Sequence, residues 1–273
     1  MLPNLAVRKT TNSMTYGICN LSAIALRKEG RHGSEMVSQL LYNETYRVMD
    51  RTKEWVLVRT GHGLSPLQED HLSALRQAQD SEAYPYDGWI QAKQFCEINE
   101  EVYNNLKGKK TYLINKPIVE YKSKFLTMGT PLYEPYPDAI EMPTEFHPEM
   151  MVSYAKMLLD APYLWGGRTA MGMDCSGLVQ VCARMCGLLL PRDSSQQVKE
   201  GELVYFLQET RPGDLAFFGE EDGHITHVGI VMDNEQIIHC SGQVRIDYLD
   251  QTGIFNKELN AHTHRLQAIK RIN

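Results

Sequence analysis

The sequence has no run of apolar residues near the roughly 20 needed to cross a bilayer, so it offers no transmembrane helix. It has no surplus of positive charge. Its 28 Lys and Arg stand against 34 Asp and Glu, a net charge of −6, which argues against nucleic acid as the partner. It has no paired cysteine framework. Cys19, Cys96, Cys175, Cys182, Cys186 and Cys240 are scattered, and in a chain of 273 residues they read as reduced thiols. The opening segment, MLPNLAVRKTTNSMTYG, has no apolar core ahead of a cleavage-like site, so no secretory leader is expected. These features predict a cytoplasmic protein; a leader removed beforehand would place it in the periplasm instead. A zinc-like spacing is missing too. Cys182 and Cys186 follow Cys175 on one helical stripe and have no second ligand pair, and the His262-x-His264 pair and His224 are weak signals, so no metal is expected.

What is present is ordinary globular composition, 42% hydrophobic and 23% charged, enough for two or three compact units. Short alternating segments at Tyr16–Ile18, Ala23–Leu26, Tyr46–Met49, Trp55–Val58 and Gly88–Ile90 predict a small antiparallel barrel over residues 1–95. A polar, helix-favouring insertion near 61–84 interrupts it. Residues 96–145 predict a connecting helix at 97–107 and a second, shorter barrel, closed by a linker marked by Pro135, Pro137 and Pro143. From 146 to 273 the pattern changes. Pro148 opens a helix, a second helix runs from Cys175 to about Cys186, and strands follow at 215–218, 227–232, 236–240, 244–248 and 264–272. A helix followed by an antiparallel sheet is an α+β arrangement.

The chemistry centres on Cys175. It stands at the first turn of its helix, just after Tyr163-Leu-Trp165-Gly-Gly167, with Asp174 before it as a cap and the small Ser176 and Gly177 behind it. A helix N-terminus favours the thiolate, the reactive form of cysteine. A thiol nucleophile needs a base. His227 and His239 are twelve residues apart, and an odd-length connection around 233–235 would put both on one sheet face. His227, at the start of a strand, is the expected base; His239 is the expected orienter of its ring. His32, His62, His71 and His147 are expected to be solvated or capping residues.

These residues resemble the NlpC-type papain-like cysteine peptidases of bacterial cell-wall metabolism. The likeness rests on Pro162–Gly167, Asp174–Leu178, Leu190–Gln196, Arg211–Leu215, His227–Val231 and Ile238-His239, in the expected order over most of 147–273. The upstream barrels are similar to the bacterial Src-homology-3-like domains of the dipeptidyl-peptidase branch. The resemblance implies a Cys175, His227, His239 triad, an oxyanion site of Tyr163 and the Cys175 backbone N–H, and no cofactor. It implies a peptidoglycan stem peptide as substrate, cut between the γ-carboxyl of D-glutamate and lysine or diaminopimelate, with a free N-terminal L-alanine. Asp193, Glu35 and Tyr86 are implied at the ammonium of that alanine, with Trp165 walling the cleft beside Asp174. Arg192, Ser176 and Ser194 are implied at the D-glutamate α-carboxylate. Whether Glu35 or Glu44 faces the cleft stays open in the sequence. The rival expectations are an endopeptidase acting on intact peptidoglycan, a papain-like amidase or acyltransferase acting elsewhere, and a binding protein without turnover.

Overall fold

The computed structural model describes residues 14–61, 85–233 and 235–272. All of the insertion expected at 61–84 except Gly61 lies outside the described residues. The N-terminal unit is one antiparallel sheet of β1 (Thr15–Ile18), β2 (Ala23–Arg27), β3 (Met36–Leu41), β4 (Thr45–Arg51), β5 (Trp55–Thr60), β6 (Tyr86–Gln91) and β7 (Glu97–Ile98), in the order β3-β2-β6-β5-β4-β1-β7. Alternate residues turn inward, so Ile24, Leu26, Leu40, Tyr46, Val56, Val58 and Ile90 share one core. Strand β3 was not expected from the sequence. Its buried positions include Ser38, which breaks the apolar alternation because it faces another domain rather than the core.

Helix α1 (Glu100–Lys107) follows. Asn99 caps it by accepting the Val102 N–H, and Glu100, Glu101 and Lys107 are placed with the right sign at its two ends. Tyr103 stacks on Tyr16 at 4.2 Å and fastens the helix to β1. The next unit comprises β8 (Tyr112–Ile114), β9 (Ile118–Tyr121), β10 (Lys124–Thr127), β11 (Pro131–Leu132) and β12 (Ala139–Glu141), a hairpin and a three-stranded sheet. They enclose Ile114, Val119, Tyr121, Leu126 and Leu132. Strand β12 lies where the prolines suggested only linker. It pairs with β8, and its prolines flank the strand without interrupting it.

The C-terminal domain begins with α2 (Met151–Met157), then β13 (Arg168–Thr169), β14 (Gly172–Met173), α3 (Cys175–Met185) and α4 (Ser194–Gln197). Its sheet contains β15 (Glu202–Val204), β16 (Leu215–Gly219), β17 (Ile225–Asp233), β18 (Gln236–Ser241), β19 (Gln243–Leu249), β20 (Gly253–Asn256) and β21 (Ala261–Arg271), ordered β15-β21-β16-β17-β18-β19-β20, with β20 also pairing to β21. Every residue of α3 is buried. Leu178, Val179 and Cys182 share the core with Phe217, Val228, Ile230 and Ile238, so Cys182 and Cys186 are small core residues.

The first unit docks on this domain through β3. Gln39 Oε1 accepts the Arg168 N–H at 2.7 Å, and Arg192 Nε donates to Ser38 Oγ at 3.1 Å. Gly166, at φ +76°, lies so close to β3 that a Cβ there would stand 2.5 Å from the Met36 carbonyl oxygen. Glycine is required at that position on both counts. Among the described residues no helix is long and apolar enough to cross a membrane.

Candidate active site

Cys175 is the first residue of α3. Asp174 has extended backbone and caps the helix, its Oδ1 accepting the Gly177 N–H at 2.7 Å. A capping carboxylate would disfavour a neighbouring thiolate, and Arg192 offsets it. The guanidinium grips Asp174 with Nη1 on Oδ1 at 3.0 Å and Nη2 on Oδ2 at 2.6 Å. Asp174 Oδ2 also accepts the Gly166 N–H at 2.8 Å, tying the glycine loop to the helix. Burial pushes the Cys175 thiol up to about 11; Asp174 adds to this, and backbone N–H groups of Val228 and Ser176 act against it.

His227 and His239 do share a sheet face. Gly229, two residues beyond His227 in β17, pairs with His239 in β18. The strands meet at Asp233 and Gln236, and the odd residue comes from a β-bulge between Val231 and Asp233. A Cβ at Gly229 would stand 2.9 Å from the His239 Cβ, so glycine leaves room for the second ring. His227 Nε2 lies 2.9 Å from His239 Nδ1.

Two further residues complete this cluster, and neither was singled out as part of the reacting group in the sequence. Asp247 Oδ2 lies 3.0 Å from His239 Nε2. His264, in β21, stacks on His227 with ring centroids 4.2 Å apart. Asp247 lies in the expected strand at 244–248, but only the strand order shows that this strand flanks β18. His264 is far in sequence and reaches His227 because β21 crosses beside β16. Burial, then His239 and His264, hold His227 well below its ordinary value. Burial likewise lowers His264 to about 4. Burial thus favours the neutral form of both the Cys175 thiol and the His227 imidazole at neutral pH. A direct consequence is that alkylation of Cys175 by iodoacetamide should keep accelerating as pH rises from 7 through 10. A plateau already reached at pH 6 would show a pre-formed ion pair instead.

Tyr163 borders the same site at 37% exposure. Burial first, and Cys175 next, raise its phenol to about 12, so it is a hydrogen-bond donor at neutral pH. Trp165 is 58% exposed. Its Nε1 donates to Glu35 Oε1 at 2.7 Å across the domain boundary. Tyr86 donates to Asp193 Oδ1 at 3.2 Å, also across the boundary. Burial, with Asp174 and Glu35 adding to it, raises the Asp193 carboxyl despite Arg192 and Tyr86. Ser194, half-buried, begins α4 beside it.

Three of the expected substrate contacts, Asp174, Arg192 and Ser176, are also bonded to one another. Asp174 is buried and its two oxygens serve Gly166, Ser176, Gly177 and Arg192, while Arg192 is 1% exposed and holds Ser38, Asp174 and Ser176. Ser176 Oγ donates to Asp174 Oδ1 and accepts from Arg192 Nη1. A capping carboxylate at a buried helix end needs a buried cation, and Arg192 supplies it. Glu44 also faces away from the cleft. It is 1% exposed, with Oε1 2.6 Å from Arg184 Nη1 and Oε2 3.1 Å from Arg168 Nη1. Glu35 is the glutamate at Trp165. Among the described residues no three His, Cys, Asp or Glu side chains form a metal-binding group.

Residues 160–263 match the NlpC/P60 family and residues 26–62 the bacterial dipeptidyl-peptidase Sh3 domain. A γ-D-glutamyl-L-lysine dipeptidyl-peptidase of Bacillus subtilis is 26% identical over 95% of this chain and 88% of its own length. A probable endopeptidase NlpC of Escherichia coli is 45% identical, over 29% of this chain and 53% of its own. The crystal structure of an NlpC/P60 family protein from Bacillus cereus superposes with a TM-score of 0.70 at 20% identity, covering 94% of this chain and 99% of that one. That likeness is one of fold.

Proposed function

We propose that this chain, whose C-terminal part is an NlpC/P60 peptidase domain preceded by a Src-homology-3-like β domain, hydrolyses the bond between γ-D-glutamate and a diamino acid in stem peptides carrying a free N-terminal L-alanine. Cys175 attacks the γ-glutamyl carbonyl and forms a thioester. His227 takes the thiol proton, returns it to the leaving amine and then activates water. Tyr163 and the Cys175 N–H stabilise the oxyanion; loss of one such donor costs on the order of 10²–10³ in rate. The observation that carries the specificity is the pair of carboxylates, Glu35 and Asp193, brought from different domains to one wall beside Trp165 and Tyr86. Burial raises the Asp193 carboxyl and Glu35 adds to it, and an ammonium bound there would offset both effects. A B. subtilis relative named as a γ-D-glutamyl-L-lysine dipeptidyl-peptidase supports the bond chosen. Such a substrate is a released muropeptide, and the reading places the enzyme in its recycling in the cytoplasm.

Mass spectrometry on two synthetic peptides, L-Ala-γ-D-Glu joined to lysine or diaminopimelate and the same peptide N-acetylated, tests this. Cleavage of the free peptide alone is the expected result. Equal cleavage of both would mean a wall endopeptidase instead. Glu35→Gln should lower kcat/KM on the free peptide by roughly 10–100-fold, the equivalent of one charge-assisted hydrogen bond.

A further inference from the structure

We propose that Asp247 is a positioning residue that sets the tautomers of His239 and His227 together, leaving the Nδ1 lone pair of His227 free to take the Cys175 proton. This rests on the reading of Cys175 and His227 as the reacting pair. Strand register brings the residues together. His239 pairs with Arg245 across β18 and β19, and Asp247 lies two residues further on the same face. Asp247 is 6% exposed, and its Oδ2 is 3.0 Å from His239 Nε2.

The deduction follows from which atoms can donate. An ionised carboxylate only accepts, so the proton of His239 must sit on Nε2. Burial by itself would raise the Asp247 carboxyl, but hydrogen bonds from His239 and Arg245 bring it below its ordinary value, so it is ionised at neutral pH. With its one proton on Nε2, His239 offers Nδ1 as an acceptor. His227 Nε2, 2.9 Å away, must donate to it. A neutral His227 with its proton on Nε2 carries its lone pair on Nδ1, the nitrogen not engaged with His239. One carboxylate two residues removed from the chemistry thus decides whether the base can act. Arg245 holds the carboxylate at both oxygens, with Nη2 donating to Oδ1 at 3.1 Å and Nε 2.8 Å from Oδ2, the oxygen that faces His239.

Those contacts define the test. In Asp247→Asn, the amide oxygen belongs in the place of Oδ2, where it accepts from Arg245 Nε and His239 Nε2 together, so the order of protons persists. Asp247→Ala removes the acceptor and imposes no order. A tautomer change in the Ala variant alone is what a packing role would not produce.

The experiment is 15N NMR of histidine-labelled full-length protein at pH 7.5, with kcat and KM on the free stem peptide. In the unmodified protein His227 and His239 should both show protonated Nε2 and unprotonated Nδ1. In Asp247→Asn both should stay in that form, with a small loss in kcat. In Asp247→Ala both rings should exchange between forms, and kcat should fall several-fold further with KM little changed, since only one tautomer is competent. Protonated Nδ1 on His239 in the unmodified protein, or an Ala variant in which both rings keep their tautomers, would overturn the proposal. The NMR result needs no turnover. A wrong substrate assignment would therefore leave it intact, and an active Cys175→Ala would refute the reacting pair without touching the tautomers.

Discussion

Cys175→Ala and His227→Ala should each reduce kcat on the free stem peptide by on the order of 10⁴–10⁶, and the double variant should be no worse than either single one. The reason is that the two side chains act as one unit. Without the thiol there is no acyl-enzyme for the base to serve. Without the base, the thiol stays protonated, because burial has already raised it to about 11. Either loss removes the covalent route entirely. What remains is positioning and the oxyanion donors, Tyr163 and the Cys175 N–H, which are worth a residual acceleration of roughly 10³–10⁴ over water. KM should change little, since neither side chain is placed at the Glu35 and Asp193 wall. Single-turnover mass spectrometry checks the order of effects. Losses that multiply in the double variant would mean that Cys175 and His227 act in separate steps. Folding is the necessary control, and Cys175→Ser, which keeps shape and a hydroxyl, should fold normally and remain severely impaired.

Glu44→Ala should destabilise the protein by about 3–5 kcal/mol, the usual result of removing one partner of a buried ion pair. Glu44 lies in the first β unit, while Arg168 and Arg184 belong to the peptidase domain, and all three are almost fully buried. The carboxylate binds Arg184 Nη1 at 2.6 Å and both Nη atoms of Arg168 at 3.1 and 3.2 Å, and it accepts the Leu41 N–H at 2.8 Å. Burial lowers the Arg168 guanidinium from its ordinary value; Glu44 counteracts this and Arg184 reinforces it. Alanine would leave two guanidinium groups facing each other in a dry interface with no counter-charge. At roughly 2–4 °C per kcal/mol, Tm should fall by about 10 °C. Glu44→Gln, which keeps an acceptor oxygen but loses the charge, should fall in between. Differential scanning calorimetry measures both. An unchanged Tm for Glu44→Ala would mean the domains do not depend on this contact. Because Trp165 and Glu35 meet across the same boundary, the free-amine preference should weaken along with stability.

The nucleophile was legible because its signals are local. A cap, a helix start and a glycine loop occupy consecutive residues, and the bond from Asp174 to the Gly177 N–H is set by helix geometry alone. The histidine pair was half legible. Parity required one odd residue, but whether a loop or a bulge supplied it depends on strand pairing. Asp247 and His264 were not legible as partners, since they meet His239 and His227 through the order of strands in the sheet. Arg192 was legible as a motif residue, but its bonds to Asp174 and Ser38 were not, because they join residues from different elements and domains. Strand β3 was missed for a related reason. A buried serine looks polar until its partner on another domain is known.

By itself the sequence determined the α+β class, the helix-borne Cys175, the two histidines and a small antiparallel β unit ahead of them, because each depends on periodicities and spacings within a few residues. Tertiary structure alone decided that Glu35 rather than Glu44 meets Trp165, that Asp174 and Arg192 neutralise each other, and that Asp247 stands behind the histidines. Those outcomes depend on sheet register and domain docking, where residues up to 154 positions apart make direct contact, and no local pattern encodes which buried charge will find which partner.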